Sequence, residues 1–155
     1  MFTLASISLQ SCAIPANLRH EQATGSSRDR ALGHEQAQVL FAKVDQAESA
    51  YQQSQWQDAA ALYQAVLKQL PDDPYLWFRL GNALTQQGQY DQAIEAFETS
   101  IRQDARQAKP WFNLSTAHLL GAQLASLKAW QAMDPGDPGR QAAQQRLDGV
   151  TRLLQ

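Results

Sequence analysis

The feature that most constrains the fold is a repeat of side-chain size from about residue 40 onward. Large and small residues recur at an offset of 34 residues, which is the distance from Trp56 to Tyr90. An internal period of roughly 20 to 50 residues is typical of proteins built from stacked copies of one supersecondary unit. The pairs at this offset are Ala47 and Gly81, Trp56 and Tyr90, Ala59 and Ala93, Tyr63 and Phe97, Trp77 and Trp111, Phe78 and Phe112, and Leu80 and Leu114.

Within one repeat the pattern predicts two antiparallel helices, over residues 74–86 and 91–103. Asp73 is suited to cap the first helix and Pro74 to open it, because proline is tolerated at the first helical position. Gly88 is predicted to adopt a positive φ after the first helix, and Asp91 to cap the second.

The small residues of the repeat have a packing role. Gly81 and Ala93 are predicted to face each other, because missing side chains let two helix backbones approach closely. Large side chains then fill the volume around this contact. They are Trp77, Leu84, Tyr90 and Phe97.

The spacing resembles the tetratricopeptide repeat, whose pattern is W-x2-L-G-x2-Y, then G-x-Y-x2-A-x3-F-x2-A, then a proline at the turn. The middle copy matches at Trp77, Leu80, Gly81, Leu84, Gly88, Tyr90, Ala93, Phe97 and Ser100. The first copy matches at Ala47, Ala50, Trp56, Ala59, Tyr63, Val66 and Pro71. The resemblance implies an all-α fold, an α-solenoid of about three helical hairpins with a C-terminal capping helix.

The predicted repeat domain covers residues 33–155, with repeats at about 40–73, 74–107 and 108–135. In the third repeat Gly121 comes early and Asp134-Pro135 follows sooner than the period requires, so we predict a shortened hairpin of helices 110–119 and 122–133. Apolar residues on one face of residues 138–154 predict a capping helix, with binding of a partner as the alternative.

The N-terminal sequence indicates a lipid anchor. Residues 1–12 carry no charge and are apolar at Phe2, Leu4, Ala5, Ile7 and Leu9. Within them, Leu9-Gln10-Ser11-Cys12 resembles the bacterial lipoprotein box. That resemblance implies cleavage before Cys12, acylation of Cys12 and an outer-membrane lipoprotein facing the periplasm, with residues 13–32 as a flexible linker. The alternatives are an unmodified thiol and a cytoplasmic protein.

The composition gives little indication of catalysis or nucleic-acid binding. The net charge is −2 and no basic stripe is present, so no nucleic-acid partner is expected. His20, His34 and His118 lack the spacing of metal ligands, and neither a nucleophile elbow nor a phosphate-binding loop occurs. We therefore expect no enzyme, cofactor or metal, and we expect His118 to point into the core or groove.

The resemblance also implies a binding groove lined by the first helix of each hairpin. Asparagine side chains there would bond a peptide main chain, phenylalanines would flank an apolar side chain, and Arg79 and Lys109 would pair with a carboxylate. Asn82 and Asn113 match the asparagines of the family's carboxylate clamp, but Phe78 stands in place of its first lysine. The predicted groove residues are Tyr75, Phe78, Arg79, Asn82, Lys109, Phe112, Asn113 and Thr116.

These residues predict a non-enzymatic adaptor for a protein or peptide partner, acting in envelope assembly such as pilus, secretion or outer-membrane machinery. Three alternatives remain open from sequence. In the first, the polar groove residues merely solvate an open face. In the second, the repeats stack on themselves or on another subunit, and in the third the protein is a soluble cytoplasmic adaptor without a lipid. The sequence does not fix the oligomeric state.

Overall fold

The computed structural model describes the backbone of residues 16–154 and the side chains of residues 33–154. The described residues form six helices and no strand, which confirms the all-α prediction. The helices are α1 (Ala16–Gln52), α2 (Trp56–Leu67), α3 (Pro74–Gln86), α4 (Tyr90–Gln103), α5 (Ala108–Ala132) and α6 (Gly139–Leu153).

The chain divides into two units, Met1–Val39 and Leu40–Gln155. In the first unit, helix α1 includes residues 16–32, where the sequence analysis expected a linker. Alanine, glutamine, glutamate and arginine, which favour helix, account for this difference. Cys12 and the predicted signal segment lie outside the described residues, so acylation stays a prediction.

The core of the second unit lies among α2, α3, α4, the end of α1 and the first half of α5, which contributes Ala117. Tyr63, Val66 and Phe97 are fully buried there. Two repeat-related tryptophans also make the same bond. Trp77 Nε1 donates to the Pro71 carbonyl (2.7 Å), and Trp111 Nε1 donates to the Ala105 carbonyl (3.1 Å). The recurrence shows that successive repeats fold alike around the start of α3 and α5.

Helix α3 begins and ends where the sequence predicts. Asp73 Oδ1 accepts hydrogen bonds from the backbone N–H groups of Tyr75 (2.9 Å) and Leu76 (3.1 Å), and Pro74 follows at the first helical position. Gly88 has φ 73° after the helix, as predicted. The prediction for Asp91 was wrong, because α4 begins at Tyr90 and Asp91 lies inside its first turn.

The close contact at Gly81 is made by an aromatic ring. A Cβ atom placed on Gly81 would lie 2.6–2.9 Å from three ring atoms of Phe97, the nearest atoms to that position. The predicted role of Gly81 is therefore correct, but Phe97 rather than Ala93 is its nearest neighbour. Any side chain at this position would have to displace a fully buried ring.

The predicted hairpin within residues 110–133 was wrong. Helix α5 runs unbroken for 25 residues, and Gly121 lies inside it. No proline follows Pro110 in this helix, and its alanine, leucine and glutamine side chains favour helix strongly enough to tolerate one glycine. The third hairpin is therefore α5 with α6, and α6 forms within the predicted capping segment.

Helix α5 contributes to two packing regions. Gly121 lies against Tyr90, the first residue of α4, and residues beyond this point pair with α6. The side chain of Gln123 donates to Thr151 Oγ1 (3.0 Å), and Arg140 lies over the ring of Trp130 at 4.2 Å. The first half of α5 thus completes the repeat stack, and the second half belongs to the terminal hairpin.

Candidate functional site

The predicted groove residues lie on one side of α3 and α5, and the end of α1 adds residues at matching repeat positions. We call this side the groove face, defined by Phe41, Glu48, Tyr51 and the eight predicted residues. It contains a hollow with a volume of about 210 Å³. The hollow is lined by Tyr51, Asn82, Thr85, Gln86, Phe97, Asn113 and Thr116. The structure therefore brings three predicted residues, Asn82, Asn113 and Thr116, into one site.

The two asparagines bond each other. Asn113 Nδ2 donates to Asn82 Oδ1 at 2.6 Å, which ties α5 to α3. An asparagine amide carries two donors and an acceptor with two lone pairs, so each amide has further hydrogen-bonding capacity after this bond is made. Both side chains are half-buried, and they present that capacity at the wall of the hollow.

Arg79 is engaged within the chain, contrary to its predicted pairing with a ligand. Its Nε donates to Glu48 Oε1 (2.8 Å) and to the Tyr63 hydroxyl (3.2 Å), and its Nη2 contacts Glu48 Oε2. The guanidinium lies over the ring of Tyr51, 3.7 Å from its centroid. Only 15% of the side chain is exposed. Arg79 therefore joins α3 to α1 and α2.

Glu48 accepts hydrogen bonds from three directions. Besides Arg79, the hydroxyl groups of Tyr63 (2.7 Å) and Tyr75 (3.2 Å) donate to its Oε1 atom. Burial by itself would raise the pKa of Glu48, but the hydrogen bonds from Arg79 and the two tyrosines, with the charge of Arg79, lower the pKa overall. Glu48 is therefore an anion whose partners are all supplied by the protein.

Burial and the adjacent Glu48 carboxylate raise the pKa of Tyr63, because both disfavour a phenolate. The same two causes raise the pKa of Tyr75. The charged state of Arg79 is favoured despite burial, because Glu48 and Tyr63 accept hydrogen bonds from its guanidinium and raise its pKa. The cluster thus holds one anion, one cation and two neutral hydroxyl groups.

The two phenylalanines at equivalent repeat positions of the groove face, Phe78 and Phe112, differ in how deeply they are buried. Phe78 is half-buried, with its ring 6.2 Å from that of Phe97. Phe112, its counterpart one repeat later, is 71% exposed. The residue one repeat after Phe97 is Gln131, which lies far along α5 instead of on a returning helix. Phe112 therefore has no equivalent ring to cover it.

Exposed aromatic rings occur on all three helices of the groove face. Phe41 on α1 and Tyr75 on α3 occupy the same repeat position, and both are exposed, as is Phe112 on α5. Lys109 follows at the next copy of that position and is also exposed, but it does not line the hollow. His118 is exposed as well, so of the two places expected for it, the core and the groove, the core is excluded.

Sequence reasoning missed Phe41, Glu48 and Tyr51. Of these three, Glu48 could have been found from hydrogen bonds that recur between residues 31 positions apart. Arg79 reaches Glu48 across 31 residues, and Asn113 reaches Asn82 across the same 31 residues. The two contacts are equivalent by the repeat, one between charged groups and one between neutral amides. Searching for complementary side chains at this spacing would have found Glu48.

Two other kinds of site have no candidate in the described part of the chain. Among the side chains of residues 33–154, no group of three or more histidine, cysteine, aspartate or glutamate residues is placed to hold a metal ion. Among the helices of residues 16–154, none combines the length and apolarity needed to cross a membrane.

The sequence profile of the tetratricopeptide repeat matches residues 44–109 and 86–138, which together exceed half of the chain. The chain belongs to the tetratricopeptide repeat family. No curated protein matches it in sequence. Solved structures agree with the fold at low sequence identity, and three illustrate this.

The tetratricopeptide repeat domain of Sgt2 from Aspergillus fumigatus is 23% identical, with a TM-score of 0.50 over 75% of this chain and 79% of that one. The type III secretion translocator chaperone SycD from Yersinia enterocolitica is 20% identical, with a TM-score of 0.52 over 76% and 87%. PcrH, solved in complex with the chaperone-binding region of PopD, is 22% identical, with a TM-score of 0.50 over 79% and 96%. At these identities the similarity establishes the fold.

Proposed function

We propose that this protein is a non-enzymatic adaptor that binds a peptide or protein partner across the groove face. The observation that carries the proposal is the set of exposed rings at Phe41, Tyr75 and Phe112. Exposed aromatic rings gathered on one face of a soluble domain are typical of a surface that a partner covers. The amides of Asn82 and Asn113 lie on the same face.

The order of side chains along the helices suits a polypeptide ligand. On α3, Phe78 precedes Asn82 by four residues, and on α5, Phe112 precedes Thr116 by four, so each pair lies on one side of its helix. A bound segment can therefore place an apolar side chain on the rings while its main chain reaches the polar hollow. Such a short groove is expected to give micromolar affinity, about −7 to −8 kcal/mol.

Similar structures support a protein partner. PcrH was solved with the chaperone-binding region of PopD, and SycD is described as a translocator chaperone. Both proteins share the fold with this chain, and PcrH is an example of a domain with this fold that holds a segment of another polypeptide.

The groove is tested by using the full chain as bait. Phe112→Ala and the double variant Asn82→Ala with Asn113→Ala are expected to lose captured partners and to weaken binding in calorimetry. Leu153→Ala is the matched control, because Leu153 on α6 is also 71% exposed and lies outside the groove face. If all the variants capture the same partners with wild-type affinity, the groove is not the binding site.

We further propose that the adaptor is anchored through Cys12 and serves envelope assembly, on the basis of the lipoprotein-like segment that ends at Cys12. Stable membrane attachment requires more than one acyl chain. Labelled fatty acid is expected to enter the wild-type protein and not Cys12→Ala. Absence of label from both would favour a cytoplasmic adaptor instead.

Self-association is a second candidate, favoured by the terminal hairpin. Two neighbouring apolar hollows, of about 750 and 450 Å³, lie along α5 and α6 and share Ala125, Ser126 and Arg146. If a second copy covers this surface, light scattering of the full chain will show a mass that rises with concentration. Leu153→Glu, at the edge of the larger hollow, is then expected to give a monomer.

A further inference from the structure

The groove face contains a cation that a ligand cannot easily reach. Arg79 is held by Glu48, contacts Tyr63 and is covered on one side by Tyr51. The Glu48 carboxylate occupies the position in which a ligand carboxylate would pair with this guanidinium. An acidic ligand would therefore have to displace Glu48, which would leave a partly buried anion without its cationic partner.

The adjoining hollow is uncharged. All seven side chains that line it are neutral, and they include the bonded pair Asn82 and Asn113. A main-chain amide offers an N–H donor and a carbonyl acceptor, which are the same kinds of group that a side-chain amide offers. An incoming peptide group can therefore bond the asparagines, or replace one partner in their pair, without leaving a charge unpaired.

From these two observations, and resting on the groove function proposed above, we propose that the groove binds an internal, uncharged stretch of polypeptide, that it discriminates against a C-terminal carboxylate, and that Glu48 sets this preference by occupying Arg79. Discrimination of this kind arises from the unpaired group that the wrong ligand would leave behind. Asn82 and Asn113 bind the main chain, and Phe112 contacts an apolar side chain of the same stretch.

The test uses the full chain and two displayed libraries of random peptides of about twelve residues. In one library each peptide ends in a free carboxylate, and in the other each peptide is embedded between constant glycine-serine segments. We expect binders mainly from the embedded library, with uncharged central residues and with binding that is lost in Phe112→Ala. Enrichment of carboxylate-ended or acidic peptides that depend on Arg79 would overturn the inference and leave the groove function standing.

The role of Glu48 is tested by Glu48→Gln, which keeps the shape of the side chain and releases the charge of Arg79. This variant is expected to gain at least about tenfold in affinity for carboxylate-ended peptides, an effect that weakens as ionic strength rises. The double variant Glu48→Gln with Arg79→Gln is the matched control and should show no gain. Tyr63→Phe, which leaves the carboxylate in place, should keep the wild-type preference.

The outcomes separate the two proposals. If folded Glu48→Gln shows no gain for carboxylate-ended peptides, the assigned role of Glu48 is wrong, whatever the groove binds. If neither library yields a binder that Phe112→Ala abolishes, both the groove function and this inference fail. Should Glu48→Gln not fold, the choice that the wild-type protein makes between the two libraries still decides whether carboxylates are rejected.

Discussion

The middle hairpin, α3 with α4, and the terminal hairpin, α5 with α6, are both pairs of packed helices but differ greatly in burial. In the middle hairpin, Leu80, Leu84 and Phe97 are almost completely buried. In α6 only Ala143 is buried, and the leucines around it are half-buried or exposed. The difference indicates that a repeat of this kind needs neighbours on both sides to bury its own two helices fully.

The terminal hairpin has neighbours on one side only. The second half of α5 extends past the start of α4 at Tyr90 and packs against α6. Its larger apolar side chains are therefore covered incompletely. They are Leu124, Leu127 and Trp130. Substitutions matched between the two hairpins should reveal this difference as a difference in free energy of unfolding.

The largest contrast is expected between Phe97 and Phe112. Phe97→Ala removes a fully buried ring and should lower the free energy of unfolding by about 3–5 kcal/mol. Phe112→Ala removes an exposed ring and should change it by less than about 0.5 kcal/mol. Urea unfolding monitored by circular dichroism measures both values. Equal losses would mean that Phe112 contributes to a core that the structure does not show.

Two glycines inside helices give the next contrast. In Gly81→Ala the new Cβ would clash with the buried ring of Phe97, so a loss of about 1–3 kcal/mol is expected. In Gly121→Ala the Cβ would lie 3.5 Å from Tyr90 Cβ, an ordinary contact, and the better helix propensity should add about 0.5–1 kcal/mol. Thermal unfolding of the two variants should therefore shift in opposite directions.

Of the two contacts at 31-residue spacing, only that between Arg79 and Glu48 contains a carboxylate, so only that contact is expected to weaken with falling pH. Glu48→Gln should cost about 1.5 kcal/mol at neutral pH, since it removes hydrogen bonds to a charged group. Because the folded-state pKa of Glu48 is lowered, its contribution is complete above the ordinary value of about 4.3 and is lost as the pH falls through the lower folded pKa.

Unfolding measured from neutral pH down to about pH 3 tests the sign of this effect. Wild type should lose stability on acidification, and Glu48→Gln should lose less over the same range. Asn113→Ala, at the equivalent neutral contact, should keep the wild-type slope, because no titrating group is removed. An unchanged slope in Glu48→Gln would show that Glu48 titrates normally in the folded protein.

The smallest effects are expected at the helix starts. Asp73→Ala removes two capping bonds from α3 and should cost about 1 kcal/mol. Helix α5 has no side-chain cap at Gln107, so Gln107→Asp should stabilise it by roughly 0.5 kcal/mol. A null result at both positions, in the same urea experiment, would indicate that packing alone determines where these helices begin.

The sequence predicted structure well where local chemistry determines it. Asp73 and Pro74 start α3, and Gly88 with its positive φ follows it, so the bounds of that helix were predictable. Residues 110–133 were mispredicted because the repeat pattern was given more weight than local propensity. One glycine costs about 1 kcal/mol within a helix, and the helix-favouring alanine, leucine and glutamine residues around Gly121 offset that cost.

The site was predicted less completely, for a different reason. Repeat positions identified the helix faces that carry Asn82, Asn113 and Thr116, and these residues do share a hollow. The positions could not show that the asparagines bond each other or that Glu48 already neutralises Arg79. Such pairings depend on the distances between helices of successive repeats, and those distances cannot be derived from the residues of a single repeat.

The continuity of α5 has a consequence for how the protein opens. Its backbone hydrogen bonds run without a break from the repeat stack into the terminal hairpin, with Gly121 at the junction. Release of α6 would therefore fray α5 from its carboxyl end and halt near this glycine, where α4 begins to cover the helix. Amide protons of α5 after Gly121 should then exchange with solvent much faster than those before it. The two parts of this one helix would thus have different free energies of opening.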